Sequence, residues 1–208
     1  MHKAKKKTIS TYHKKNHTKM SNNASKYSAE DEQTSKVSAR SKSVLLYSAA
    51  FLLAELMMLF ILKANHFYPF GTKSMLIMDM RDQNVEFLAS LRSMIHGDNS
   101  LFFSWARSMG GNYMGVFAFY ISSPLSFLTL LFPVSKMPVA IEIITVLKIG
   151  LCSLTFVIYA NYLRRKYNGQ RYFALLLPAI GYAFMSYTMV YSLSIMWLDG
   201  VIFLPLVL

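Results

Sequence analysis

Val116-Phe117-Ala118-Phe119-Tyr120-Ile121-Ser122-Ser123-Pro124-Leu125-Ser126-Phe127-Leu128-Thr129-Leu130-Leu131-Phe132 is the stretch on which the arrangement of the chain turns. It is apolar, yet three serines and a proline interrupt it, and proline disfavours helix at the residue before it. A membrane helix needs about 20 predominantly apolar residues. Downstream, Arg164-Arg165-Lys166-Tyr167-Asn168-Gly169-Gln170-Arg171 carries four basic residues in eight. Short basic loops are retained in the cytoplasm. If 116–132 crossed the membrane, that loop would lie outside. If 116–132 lies along the outer interface or re-enters it, the loop lies inside, and this arrangement is adopted.

Working outward, Val44 to Leu62 has one charge, Glu55; Pro138 to Ala160 is interrupted by Glu142 and Lys148; Tyr172 to Leu193 has none. Each is long enough to span. Val201 to Leu208 is an apolar run that stops, the expected start of a fourth span in the N-terminal piece of a longer protein. Residues 65–137 then form a large outer loop with interfacial helices, and 194–200 a short outer one. Residues 1–42 hold eleven Lys and Arg against three acids, net +8, with Ile9 almost alone among Leu and Ile. Such a segment buries no core and is expected to be a disordered basic tail, with the N-terminus cytoplasmic. One cysteine, Cys152, excludes a disulfide scaffold. The fold class expected is all-α, a polytopic transmembrane helical protein with three complete spans. Membrane lipids are its partners, and nucleic acid is not, because the tail has only Tyr12 and Tyr27 for stacking.

Residues 79–95 show helical periodicity, with Phe87, Leu88, Leu91, Met94 and Ile95 on one face. Asp79, Asp82 and Glu86, at i, i+3 and i+7, share the other. Clustered carboxylates hold a hard divalent cation or supply a general base, while an interfacial helix with a solvated face gives the same spacing. Asp199 sits in Met196-Trp197-Leu198-Asp199-Gly200, read as a tight turn at the outer surface closed by Gly200. Lys148 falls near mid-membrane, where an unpaired ammonium costs at least about 2.5 kcal/mol, so it requires a partner. Glu142 lies about 120° around the same helix, leaving Glu55 or a lipid phosphate. Trp105 to Gly115 is too glycine-rich for helix and reads as a loop whose Trp105 and Tyr113 could stack on a sugar. His66 and His96 have no metal-ligand spacing.

The order of a basic tail, one span, Tyr68-Pro69-Phe70-Gly71, Asp79 with Asp82-Gln83, Trp105 with Gly110-Gly111-Asn112, Tyr120 with Ser123-Pro124, Lys148 in a span and Met196-Trp197-Leu198-Asp199 resembles the N-terminal part of the YfhO family of bacterial membrane proteins. The resemblance covers residues 44–208. It implies a GT-C-like membrane glycosyltransferase of the bacterial cell membrane that moves a sugar from a lipid-linked donor, a polyprenyl phosphate, to a cell-wall polymer acceptor such as lipoteichoic acid. It also implies acids in the first large outer loop and in a later one, so Asp79, Asp82 and Asp199 become the catalytic candidates. The same three are the candidate ligands of a divalent cation, Mg or Mn. Arg81, Trp105, Asn112 and Lys148 are the candidate substrate-binding residues. The first-loop acids are separated by Met80-Arg81 rather than adjacent, which leaves metal use and the identity of the base open. The alternatives are a carrier or flippase for an envelope precursor, with Glu55, Glu142 and Lys148 along its path, or a noncatalytic assembly factor. The piece ending at Leu208 is expected to be inactive by itself.

Overall fold

The computed structural model describes residues 39–97, 100–105, 109–167, 169 and 171–208. The chain divides into two compact units, Met1–Leu45 and Leu46–Leu208. Of the first, residues 39–45 are described. They are the opening turns of helix α1 (Ala39–Ala64), with Ser43 Oγ donating to the Ala39 carbonyl at 3.0 Å. Helix thus begins ahead of residue 44, where the apolar run starts, because the polar residues before it are compatible with continued helix. The rest of the expected tail, 1–38, lies outside the described residues, and all that follows concerns the second unit.

Among the described residues two helices are long and apolar enough to cross a membrane, α1 and the segment Val134–Lys166, which consists of a short 3₁₀ turn and α4 (Met137–Lys166). At 1.5 Å per residue α4 is about 45 Å long, more than a bilayer core of about 30 Å, so its basic end, Arg164, Arg165 and Lys166, projects past the apolar layer. Its most apolar window is 67% buried, against 22% for α1. The central helix is α4, and α1 is peripheral. They approach closely through small residues: a Cβ on Gly150 would strike Phe51 and Glu55 of α1, and Ser153 Oγ donates to the Ala50 carbonyl at 3.0 Å. Interhelical hydrogen bonds in membranes average about 0.6 kcal/mol. Close packing therefore carries most of this contact.

The expected span over 172–193 is not one helix. It consists of a 3₁₀ turn (Phe173–Leu175), α5 (Leu176–Ala183) and α6 (Ser186–Tyr191), with Met185 extended between the last two. A break in an apolar layer is tolerated where the freed backbone groups find partners. Here the Tyr182 carbonyl accepts from Thr188 Oγ1 at 3.3 Å, and Phe184 N–H from the turn reaches the Ile180 carbonyl at 3.0 Å. The last helix, α7 (Trp197–Val207), begins four residues before the apolar run expected to start at Val201. Gly200 is therefore helical rather than the closing residue of a turn, and a Cβ there would meet nothing within 4 Å.

The described residues of 65–137 form a layer packed on the first turns of α4, around Met80, Leu88, Ile121, Met137, Ile141 and Ile144. The helix expected over 79–95 is a π turn (Met80–Asn84) followed by α2 (Val85–Ile95). Leu88 and Leu91 are buried as expected, whereas Ile95, in the last turn, is 55% exposed. The glycine-rich loop includes a small hairpin, β1 (Phe103–Ser104) against β2 (Gly111–Asn112). Gly110 has φ +96°, and a Cβ there would strike Phe103 and Trp105, so the hairpin requires glycine at that position.

The stretch that decides the arrangement is bent. Its first arm, Met114–Ile121, opens with α3 (Met114–Val116) and ends in a π turn; the second is the 3₁₀ segment Pro124–Leu131, and they meet at 94°. Pro124 opens the second arm and forces Ser123 extended, with ψ 133°. Arg92 of α2 then closes the far end, its Nη1 donating to the carbonyls of Leu130 at 2.8 Å and Phe132 at 2.9 Å. If the bent pair were counted as one span, the described residues would hold three. At right angles, however, two arms of eight residues do not add up to a crossing.

Candidate functional site

Lys148 is 1% exposed, about 16 Å along α4 from its start at 1.5 Å per residue. Its partner is neither Glu55 nor a phosphate. Its Nζ donates to Asp199 Oδ2 at 2.9 Å and to the Ile195 carbonyl at 2.9 Å. The reason is the early start of α7, which puts Asp199 in a first helical turn packed along α4 rather than in a loop tip at the outer surface. Ser123, at the elbow of the bent segment, donates from Oγ to Asp199 Oδ1 at 3.1 Å. Both oxygens of Asp199 are occupied, and its side chain is 22% exposed. A buried ion pair of this kind is sustained by additional hydrogen bonds to both members, and here both members have one.

Three residues before Ser123, on the same elbow, Tyr120 starts a second chain of contacts. Its hydroxyl donates to Gln83 Oε1 at 3.0 Å, and Gln83 Nε2 donates to Asp79 Oδ1 at 3.2 Å. Asp79 and Gln83 are four residues apart at the start of the π turn, and Phe87, one turn on, holds the Tyr120 ring at 4.7 Å between centroids. Asp79 is exposed. One of its oxygens is thereby fixed by an amide that is itself fixed, and no bond within the described residues occupies the other. A carboxylate oriented by one group that another orients in turn is a geometry compatible with proton acceptance.

The family of bacterial membrane proteins described as YfhO matches residues 49–208, most of the chain and every residue of both constellations. The chain belongs to the YfhO family. No curated protein and no solved structure matches it.

The remaining residues that the YfhO resemblance singled out are dispersed. Arg81 Nε donates to Asp82 Oδ1 at 2.8 Å, with both side chains well exposed. Asp82 thus serves its neighbour. Among the described residues no group of three or more His, Cys, Asp or Glu side chains is placed to hold a metal ion. Asp79, Asp82 and Asp199 are accordingly not assembled into the single three-carboxylate site expected from the sequence. Lys148, being enclosed, contacts no substrate in this arrangement. Trp105 is 78% exposed and meets Phe103 edge-on at 4.9 Å, so its outer face is open. Asn112 turns inward to its own loop, with Oδ1 accepting from the Met114 N–H at 2.8 Å. Tyr113 is buried and shares a hydrogen bond with Ser90; burial pushes its phenol above the usual value, and the Ser90 bond opposes that. It is a packing residue rather than a stacking platform.

Gln83, Tyr120 and Ser123 were not among the sequence candidates for chemistry. The Asp79 to Gln83 spacing of one helical turn was a usable signal for the first. No local pattern signals that Tyr120 and Ser123, on one elbow, bond Gln83 and Asp199 respectively.

Proposed function

We propose that the protein is a membrane glycosyltransferase that moves a sugar from a polyprenyl-phosphate donor to a hydroxyl of a cell-wall polymer such as lipoteichoic acid on the outer face of the membrane, with Asp79 as the general base. The observation that carries this reading is the Tyr120–Gln83–Asp79 chain, which presents an oriented, exposed carboxylate beside a membrane-embedded bundle. The free oxygen of Asp79 takes the proton of an acceptor hydroxyl as that oxygen bonds to the anomeric carbon. The bond from that carbon to the donor phosphate breaks, and the electron pair leaves with the phosphate, inverting the configuration. A phosphate leaving group needs positive charge rather than a proton. Arg81, two residues from Asp79 and exposed, supplies it when it swings from Asp82. No three His, Cys, Asp or Glu side chains among the described residues group to hold a metal ion, so no step is routed through a divalent cation. Asp199 acts as a positioning residue: through Ser123 it holds the elbow that carries Tyr120.

A carrier reading requires Glu55, Glu142 and Lys148 along one path. Lys148 instead points toward α7, about 120° around α4 from Glu142. The decisive experiment uses the full-length protein in its membrane and reads sugar on the polymer by mass. Asp79→Asn preserves size and should lower transfer by about 100-fold at normal membrane level. Transfer at the normal rate would remove Asp79 from the chemistry, and with it the main support for an enzyme at this surface.

A further inference from the structure

Between the last turns of α4 and the 3₁₀ turn Phe173–Leu175 lies a cavity of about 580 Å³. Arg164 and Arg171 supply its charge, Leu163, Ala174 and Leu175 supply apolar walls, and the lining contains no acid. Arg164 is held in a fixed pose. Its Nε donates to Asn161 Oδ1 at 3.1 Å and its Nη1 to the Gly169 carbonyl at 3.0 Å, while its guanidinium lies 4.8 Å from the centre of the Tyr172 ring. Asn161 is itself 1% exposed and is fixed from α1, its Nδ2 donating to the Tyr47 hydroxyl at 2.8 Å. Contacts with Gly169 and Tyr172 set the Arg164 guanidinium beside the chain on both sides of Arg171, and both arginines line the same cavity. The rest of the Arg164 fork meets no acceptor among the described residues.

No carboxylate among the described residues is near enough to neutralise this pair. The sequence has no Asp or Glu between Glu142 and Asp199. Along α4, Glu142 lies about 33 Å from Arg164, and Lys148, which holds Asp199, about 24 Å. Glu55 lies against Gly150, about 21 Å away by the same measure. Asp79, Asp82 and Glu86 belong to the layer on the first turns of α4. A guanidinium stays charged whatever its surroundings, and its planar fork matches phosphate oxygens. Because α4 is longer than a bilayer core, its basic end stands at the level of the lipid headgroups. Basic pockets between helices at that level are suited to anionic headgroups. We propose that this cavity binds a phospholipid of net negative charge, its phosphate between Arg164 and Arg171 and the first carbons of an acyl chain along Leu163 and Leu175. A zwitterionic headgroup brings an ammonium next to two arginines with no acid to receive it. The apolar walls favour a lipid over free phosphate. The inference depends neither on the glycosyltransferase reading nor on which face of the membrane the loop occupies.

The test uses native mass spectrometry of the full chain from nonionic detergent, in about 0.5 M ammonium acetate, which screens diffuse attraction to the other basic residues. Phosphatidylglycerol and phosphatidylcholine with the same acyl chains are titrated, and the first bound lipid is counted. Phosphatidylglycerol should bind at least about tenfold more tightly, a difference of about 1.4 kcal/mol. Arg164→Gln and Arg171→Gln should each weaken it by about tenfold. Lys166→Gln removes the same charge from the same helix end, but Lys166 is exposed and outside the lining, so affinity should hold within about twofold. Ala174→Trp fills the cavity without changing charge; it should abolish the preference and serves if Arg164→Gln does not fold. Inorganic phosphate in equal amount should not displace the lipid. Equal affinity for the two lipids, a loss with Lys166→Gln as large as with the arginine variants, a preference that survives Ala174→Trp, or displacement by inorganic phosphate overturns the proposal.

Discussion

Asp199 and Lys148 hold each other in place, and the cost of separating them exceeds the worth of the pair. Replacing one member of a buried pair strands the other, typically at about 3–5 kcal/mol, whereas replacing both by apolar residues of similar volume is often neutral. Lys148→Met should therefore lower the thermal unfolding midpoint of the full-length protein in detergent, and Lys148→Met with Asp199→Leu should recover most of that loss. A double variant less stable than the single would mean that the bond to Ser123 outweighs the ion pair. At Asp79 the expected signature is kinetic. Gln83→Leu and Tyr120→Phe each release the carboxylate without removing it, so each should slow transfer by about tenfold. Because they act as one unit, the double variant should be no slower than either single one. Additive losses would separate the two residues. The sequence made it legible that Lys148 needs a partner, since the energetic cost is local. The identity of the partner was not legible, because it depends on where a helix 49 residues later begins.

Among the elements, the apolar runs that became α1 and α4 were readable because length and lack of charge suffice to define them. The run over 172–193 looked the same and is broken. Its break at Phe184 and Met185 is sustained by a threonine hydroxyl and by packing on α4, neither of which leaves a mark in hydropathy. The bent segment lies between these cases. Ser123-Pro124 announces the elbow through proline geometry, but the fastening of its far end comes from Arg92, which no local sequence pattern singles out. Arg92→Met keeps the aliphatic stem and removes two charged hydrogen bonds, each of which contributes about 1.5–3 kcal/mol. Amide exchange at residues 124–132 should then accelerate, while α2, held by Leu88 and Leu91, keeps its protection. Unchanged exchange at 124–132 would assign closure of the arm to apolar packing alone.

For the whole molecule, the consequence of the 94° bend is parity. Among the described residues between positions 99 and 168, α4 is the only long apolar helix. One crossing puts the two positions on opposite sides of the membrane; a second, made by Met114–Ile121 and Pro124–Leu131 together, would put them on the same side. The chain has a single natural cysteine, Cys152, and it is buried in α4. It should stay silent toward a membrane-impermeant maleimide, so no cysteine-free background is needed. Asn99→Cys should label in intact cells and Asn168→Cys only after permeabilisation, in keeping with the basic residues Arg164 to Arg171 being retained inside. Labelling of both in intact cells would make the bent pair a span. The layer that presents Asp79 would then have to be divided between two faces of the membrane, although Tyr120 on the bent pair touches Gln83 beside it. That contact is why the single crossing is expected.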